Sequence, residues 1–585
     1  MSLSRLLLLT ILALTALTTT VLGQASLVPA NHPVYDWLYN QRVAGNLPAY
    51  EYEVLPLTRR DITRHLNYLR ANASLSRAQQ RSLDSYLREF DVARISPEGG
   101  HSAAVFYDTL DWGGGSIADR ARTYLSDTEK HVLIMRSREG FLLLDGGIGL
   151  RAFVVRDGDL AQQTLSQLTD IRVIGGYGEN MGFHGEINLA SPVLGSGASI
   201  FAYDGFYFYN FINKERFAGN DLASVTYSLV HREGYATVQF GNTMAFSIGR
   251  GNLKIGTGEE DNFWFSRNAA PLEWLRLDIG NRWMRYQRLH GAMSWPASII
   301  RQQDDPLLIT RNAPQRFVVM QSGIVRPFPW FHFGVFEMIN YSNRGMEIAY
   351  LNPINILSFA ERDLQDQDNG WAGVYGVLRP LRGLELYSEL VVDDLFTVSE
   401  IIRRKRPDVS RFARRYGAQW VPGADWRLFG EYERIDPFVY SHPYALNSHT
   451  NYDVSLGSQL EPNSDRLTAG VRWFGLPRSW VSVKVRYVRN GRSTRDADGN
   501  LIFYAGEDVN RGRRINHLLR PDERYEESFL FLDGDLHRWA GLELHASWEP
   551  RRAWVLSSRL DYRHMLEGDQ LASRTVFWLD MRVGF

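Results

Sequence analysis

Four carboxylates crowd one short stretch of the chain: in GLELYSELVVDDL, Glu385, Glu389, Asp393 and Asp394 form an acidic row. Acids gathered this way can hold a cation or repel anions. Where a sheet sets bases opposite them they pair across strands instead, and that second reading suits the surroundings better. DADGN, Asp496 to Asn500, opens like a calcium loop, but the downstream Glu of that motif is missing and an Asp-Gly turn accounts for it. Neither H-E-x-x-H nor G-x-S-x-G occurs, and the 14 His are scattered. His101 beside Ser102, and Ser441 beside His442, point to opposite faces if extended. No metal centre or cofactor site is expected, and an enzyme would need a triad drawn from distant strands.

The elements that position these groups have a period of two. Around the acidic row, Leu384, Leu386, Leu390 and Val392 take one parity, against Glu385, Tyr387, Glu389 and Asp393. SWVSVKVRYVRN sets Val481, Val483, Val485 and Tyr487 against Ser482, Lys484 and Arg486. Leu542, Leu544, Ala546 and Trp548 oppose Glu543, His545, Ser547 and Glu549, and the next run repeats the pattern from Trp554 to Tyr562. A face carrying Glu, Asp, Arg and Lys must see water or ionic partners, as a barrel lumen provides, while the other face must see something apolar. Trp548, Trp554 and Tyr562 stand where membrane-interface anchors belong. The pattern predicts an all-β, outer-membrane antiparallel β-barrel in preference to a soluble sandwich or propeller. The last strand, TVFWLDMRVGF, puts Phe577, Leu579, Met581, Val583 and Phe585 on one apolar face. Pairing it with the first strand would close the cylinder, and a terminal Phe of this kind resembles the signal read by the barrel assembly machinery.

Composition agrees. The first residues carry Arg5, an apolar run from Leu6 to Val21 and small residues at Gly23 and Ala25, which reads as a signal peptide over 1–23, with a signal anchor as the alternative. With 0 Cys, disulfides and a lipidated cysteine are excluded, and a net charge of -1 offers no general field for nucleic acid. An aromatic fraction of 13% suits a barrel with two interface girdles in contact with outer-membrane lipid. Residues 24–100 form a helical periplasmic segment of about three helices: Thr58 with Asp61, and Ser76 with Gln79, read as caps before the faces Ile62, Leu66, Leu69 and Leu83, Leu87, Phe90. Residues 101–585 form the barrel. FGLPRSW, EPRRAW and RPLRG read as tight turns, while 290–315, 342–369 and 490–536 are long connections that face outside. Counting strands back from the C-terminus would put 435–451 on the periplasmic side, at odds with its length, so that loop is left unassigned to either side.

Two blocks resemble the capsule-assembly Wzi outer-membrane proteins. One is GRGNLKIGTGEEDNFWFSRNAAPLEWLRL, with Gly249, Arg250, Gly256, Gly258, Ser266, Asn268, Ala269 and Pro271; the other runs from Gly345 to Leu395 and contains the acidic row. VYDWLYNQRVAGN with PLTRRDI is also similar to that family's N-terminal segment. The resemblance implies a barrel of about eighteen strands that helps hold capsular polysaccharide on the cell surface as a lectin; a passive diffusion porin and an outer-membrane hydrolase are the alternatives. One departure is Thr257 between Gly256 and Gly258, where many relatives read Gly-Pro-Gly, and losing the Pro is expected to leave the loop less rigid.

A sugar presents apolar C–H faces and hydroxyls, so the implied site needs exposed aromatic planes with Asn, Asp and Arg beside them. The candidates are Trp295, Arg301, Arg311 and Asn312 in one loop, and Arg344, Tyr350, Asn352, Asp368, Asn369 and Trp371 in and beside another. The competing structural roles are an interface belt for Trp295 and Trp371, turns for Asn352 and Asn369, and a lumenal carboxylate partner for Arg311.

Overall fold

The computed structural model describes residues 24–91, 102–104, 127, 129–136, 139–158, 160–195, 228–294, 315–365, 368–393, 411–423, 425–451, 454–511, 530–568 and 573–584. The signal-peptide stretch, Phe585, Asp394, Trp295, Arg301, Arg311 and Asn312 lie outside them.

Alternation produces strands that close on themselves. In chain order they are β1 Gly140–Asp157, β2 Leu160–Tyr177, β3 Met181–Gly195, β4 Ser228–Phe240, β5 Met244–Gly251 and β6 Leu272–Gly280. Then come β7 Met284–Met293, β8 Arg316–Phe328, β9 Phe331–Ser342, β10 Asn369–Leu381, β11 Leu384–Asp393 and β12 Arg411–Gly423. The last are β13 Trp426–Ile435, β14 Ser464–Leu476, β15 Ser479–Arg492, β16 Asp535–Arg551, β17 Trp554–Glu567 and β18 Ser573–Gly584. These 18 pair with their neighbours as an antiparallel closed barrel. β18 pairs with β1, Met581 facing Leu150 and Val583 facing Ile148, so no edge is left over.

The two parities part as the charges require. Leu386, Leu390, Val481, Val485, Leu542, Leu544, Leu579 and Met581 are exposed on the outer wall; Glu385, Glu389, Asp393, Glu543, Asp561 and Asp580 are buried in the lumen. Connections at one end, here the turn end, are tight, as at 381–384, 476–479 and 551–554, and most at the opposite loop end are long. Exposed Trp283, Trp330, Trp420, Trp426 and Trp548 ring the turn end as an interface girdle does. Among the described residues no helix is long and apolar enough to cross a membrane.

The helical segment fits inside the turn end. It has α1 Val34–Val43, α2 Arg59–Asn72 and α3 Arg77–Phe90. Thr58 and Ser76 accept the amides of Asp61 and Gln79, and Ile62, Leu66, Leu69, Leu83, Leu87 and Phe90 are all fully buried. Gln79 does not reach back to complete its capping box: it accepts from Gln41 at 2.9 Å and donates to Asp425 at 3.0 Å, tying helix to barrel. The cluster includes Val421 and Phe474 of β12 and β14.

Segment 435–451 corrects the strand count. β13 rises from Trp426 at the turn end to Ile435, so the residues after it emerge at the loop end. VSLGSQL, 454–460, has strand-like alternation in sequence, yet it folds into the lumen with only a two-residue pairing and buries Leu456 and Leu460.

Candidate functional site

Residues 252–271, between β5 and β6, turn back into the lumen and form a strap across it. Val54–Leu55 pairs with Lys254–Ile255, joining the strap to the helical module. The strap's three consecutive acids reach three adjoining strands between them. Glu259 meets Arg427 of β13 at 3.3 Å and Arg472 of β14 at 3.2 Å; Glu260 meets Lys484 and Arg486 of β15 at 2.9 Å; Asp261 meets Arg466 of β14 at 3.2 Å. Each pair is buried, so each charge is compensated where water is scarce.

The acidic row supplies the facing anchors. Glu389 accepts from the Thr257 hydroxyl at 2.7 Å and its N–H at 3.0 Å, and lies 3.3 Å from Arg415. A proline at 257 would bring neither donor, so the departure from Gly-Pro-Gly exchanges ring stiffness for two hydrogen bonds. Gly256 and Gly258 hold positive φ of 111° and 128°, and a Cβ on Gly258 would lie 2.2 Å from the Asp261 carbonyl. Glu385 takes Tyr39 and Arg42 of α1, and Asp393 accepts the amide of Tyr440. Glu385, Glu389 and Asp393 thus pair with lumenal partners, and no metal-binding group is found among the described residues.

Electrostatics tighten the plug. Burial would raise the Asp36 and Glu260 carboxyls, but Arg267, Arg472 and Arg427 around Asp36, and Arg486 and Lys484 around Glu260, hold both below the usual range. Burial pushes the Lys254 ammonium down to about 7, although it donates to the Gly256 carbonyl at 3.1 Å and lies over the Tyr52 ring.

From the loop end, residues 436–451 and 454–463 fold onto the strap. Tyr440 donates to the Phe263 carbonyl at 3.0 Å, and His449 Nε2 lies 2.7 Å from that of Trp264. Trp371 packs here: its ring centroid is 5.0 Å from Tyr440 and 4.6 Å from His449, and its indole donates to Asn369 at 3.0 Å. Asn369 in turn donates to the Asn447 carbonyl.

The candidates from the second loop therefore divide. Trp371, Asn369 and Tyr350 are buried and offer no exposed plane to a sugar, because β10 directs the first two into the lumen core and Tyr350 packs under its own loop. Nor does Trp371 belong to the outer belt. Arg344 grips Asp368 with two nitrogens and Glu347 at 2.7 Å. Asn352 is exposed, and its side chain accepts the Ile354 amide of a turn. Asp496 accepts the amides of Asp498 and Asn500 at 3.0 and 2.7 Å, a turn and not a cation loop.

What the sequence reading missed stands at the loop end. Tyr444 exposes its ring, tilted 5.6 Å from that of His442. Arg492 pairs with Glu461 at 3.0 Å in water, and a hairpin of Thr494–Arg495 and Leu501–Phe503 stands nearby in sequence. Inside, against β1–β4 and β15–β18, a cavity of about 580 Å³ remains. Trp480, His545 and Trp578 line it in sequence-distant steps, edge to face at 4.5 and 5.6 Å. Alternation placed these rings in the lumen, but only the fold brings them into one row.

The profile of the family described as "Capsule assembly protein Wzi" matches residues 224–565. A solved structure of Wzi from Escherichia coli, described as an outer membrane protein involved in group 1 capsule assembly and a carbohydrate-binding β-barrel, superposes with a TM-score of 0.52. It shares 12% identity over 95% of this chain and 99% of that one. OprD of Pseudomonas aeruginosa gives a TM-score of 0.39 at 9% identity, covering 76% of this chain and 95% of that one. OccK3 of the same organism gives 0.39 at 11% identity with the same coverages, 76% and 95%. Among curated proteins none matches significantly.

Proposed function

Because the chain belongs to the Wzi family of capsule assembly proteins, outer-membrane β-barrels, we propose that it holds capsular polysaccharide at the cell surface with its loop end, as a lectin that binds without turnover. The observation that carries this reading is the strap: Glu259, Glu260 and Asp261 pin 252–271 to β13, β14 and β15, and residues 436–451 and 454–463 close over it. A cylinder filled in this way is a platform for its loops rather than a wide bore. The tight turns face the periplasm and the long loops the outside. In the proposal residues 1–23 are removed on export, the helical segment faces the periplasm, and the last strand with Phe585 is read by the barrel assembly machinery.

The binding surface combines Tyr444, Arg492 and Arg495 with Trp295, Arg301, Arg311 and Asn312 of the connection between β7 and β8. Aromatic planes stack on sugar faces and guanidinium groups pair with the carboxylates of acidic capsules. Purified protein in lipid vesicles should retain capsular polysaccharide and return it at unchanged chain length, and deletion of the gene should shed capsule without lowering its synthesis. Capsule that stays attached after deletion overturns the reading. The cavity along β1 and β18 favours a second reading, a narrow pore, which a small steady current in planar bilayers would establish.

A further inference from the structure

The connection between β9 and β10 does not stand over the mouth of the barrel. It carries α4 Ile348–Leu351 and α5 Leu357–Asp363 and folds down the outer wall. Its underside, Tyr350, Leu357 and Ala360, packs on Phe317, Val319, Ile339 and Tyr341. These four wall residues share the outward parity of Val325, Phe333 and Val335, which are exposed farther down the same strands.

Beneath the loop the wall is polar where a membrane barrel should be apolar. Arg288 donates to Gln321 at 2.7 Å, and Gln321 donates to Glu337 at 2.7 Å, all on outward positions of β7, β8 and β9. The loop satisfies what remains. Glu337 accepts the amides of Leu357 at 2.8 Å and Ser358 at 2.6 Å, Arg288 donates to the Tyr350 carbonyl, and Tyr286 donates to that of Pro353.

Depth follows from register. Arg288 lies four residues above Met284 and Glu337 six above Phe331, both strands starting at the turn end. At about 3.4 Å per residue and a tilt near 40°, these groups stand roughly 10 and 16 Å above the turn end, inside an apolar band about 25 Å tall. On β13 and β15 the outward charges Arg434 and Arg489 come higher, eight and ten residues above Trp426 and Ser479.

The upper side of the loop is hydrocarbon. Ile354 is 90% exposed, Ile348 82%, Phe359 56% and Ile356 47%. Backbone exposed to lipid must be satisfied internally. Here it is: the amide of Ile354 goes to the Asn352 side chain, those of Asn355 and Ala360 to carbonyls within the loop, and Asn355 covers the Ala349 carbonyl.

We propose that residues 346–359 form an outer clasp seated among the acyl chains of the membrane, its partner being lipid hydrocarbon rather than polysaccharide or a second copy of the chain. The clasp continues the apolar band across a patch of wall whose own side chains are charged.

The sequence contains 0 Cys, so single-cysteine variants are clean reporters. Ile354→Cys, with Ile348→Cys and Phe359→Cys as further sites should one variant fail to fold, is compared in lipid vesicles with Val335→Cys on the wall and Arg495→Cys on the loop-end hairpin. The clasp cysteine should react with a membrane-impermeant maleimide on the order of tenfold more slowly than Arg495→Cys. A bimane placed on it should be quenched by lipids brominated along their acyl chains, as on Val335→Cys. Labelling at the Arg495→Cys rate would put the clasp in water and overturn the proposal; protection without bromolipid quenching would mean a protein cover, and also overturns it. Polysaccharide plays no part in either readout, so failure here is distinct from failure of the surface-binding reading.

Discussion

Arg42 of α1 and Glu385 of β11 meet at 2.7 Å across 343 positions of sequence, each side chain 1% exposed. The same guanidinium holds both oxygens of Glu53, at 2.7 and 3.0 Å, so one cation neutralises two buried acids and locks the helical module to the wall. Arg42→Ala leaves both carboxylates without that cation, and such a loss costs about 3–5 kcal/mol. The expected result is a lower urea midpoint for protease cleavage within residues 34–90, with the barrel itself still resistant.

The strap's acids act as three separate rivets, so replacing them together should unseat it. The variant Glu259→Ala, Glu260→Ala, Asp261→Ala is expected to give stepwise single-channel currents in planar bilayers where the unaltered protein conducts poorly. Equal traces from the two would show that the strap does not block the lumen.

Acid should loosen the plug in a defined window. The Asp36 and Glu260 carboxyls lie below their unfolded values, so the stability they contribute is complete above about pH 5 and is lost progressively as pH falls below that toward their folded values. Lys254 works in the other direction along the scale: held at about 7 against an ordinary 10.5, it binds fewer protons folded than unfolded between those values, and stability rises with pH there. Protease resistance of the plug, followed from pH 3 to 10, should therefore climb in two steps; a peak near neutrality with loss toward pH 10 would contradict the assignment of Lys254.

Two aromatic variants separate the possible sugar sites. With polysaccharide at the loop end, Tyr444→Ala should weaken retention by about tenfold, near 1.4 kcal/mol, while Trp578→Ala in the cavity leaves it unchanged. The reverse pattern would move the site into the lumen.

Removal of Phe585 tests the terminal strand as an assembly signal. The outer-membrane level of the shortened chain should fall several-fold while its periplasmic degradation products rise, as seen on blots of fractionated cells.

Period and capping were legible in the sequence because they are local. The parities of β11, β15, β16 and β17, the closing strand, and the faces of α2 and α3 all follow from spacing alone. The direction in which a connection folds is decided at long range. VSLGSQL has the rhythm of a strand but turns inward, and 342–369 reads as an exterior loop, yet its residues 343–365 lie down the wall. Trp371 and Tyr350 have the right chemistry for a sugar and the wrong surroundings, since their burial depends on Tyr440 and Leu357 from other segments. Glu259, Glu260 and Asp261 sit inside a block that resembled the family, yet that they brace the interior depends on which strands face them. Tyr444 is not among the sequence candidates because its segment could be assigned to neither end from spacing.

The ladder joining β18 to β1 carries a consequence for how the molecule comes together. Its inner face looks onto the cavity, and Arg151 clasps Asp580 across it at 2.6 Å, while the strap's three acids are fastened to β13, β14 and β15. A cylinder whose hem runs beside empty space can be stitched after its stuffing is in place, since nothing inside has to slide past the final seam. The geometry thus leaves room for the contents to be seated before the seam is drawn shut.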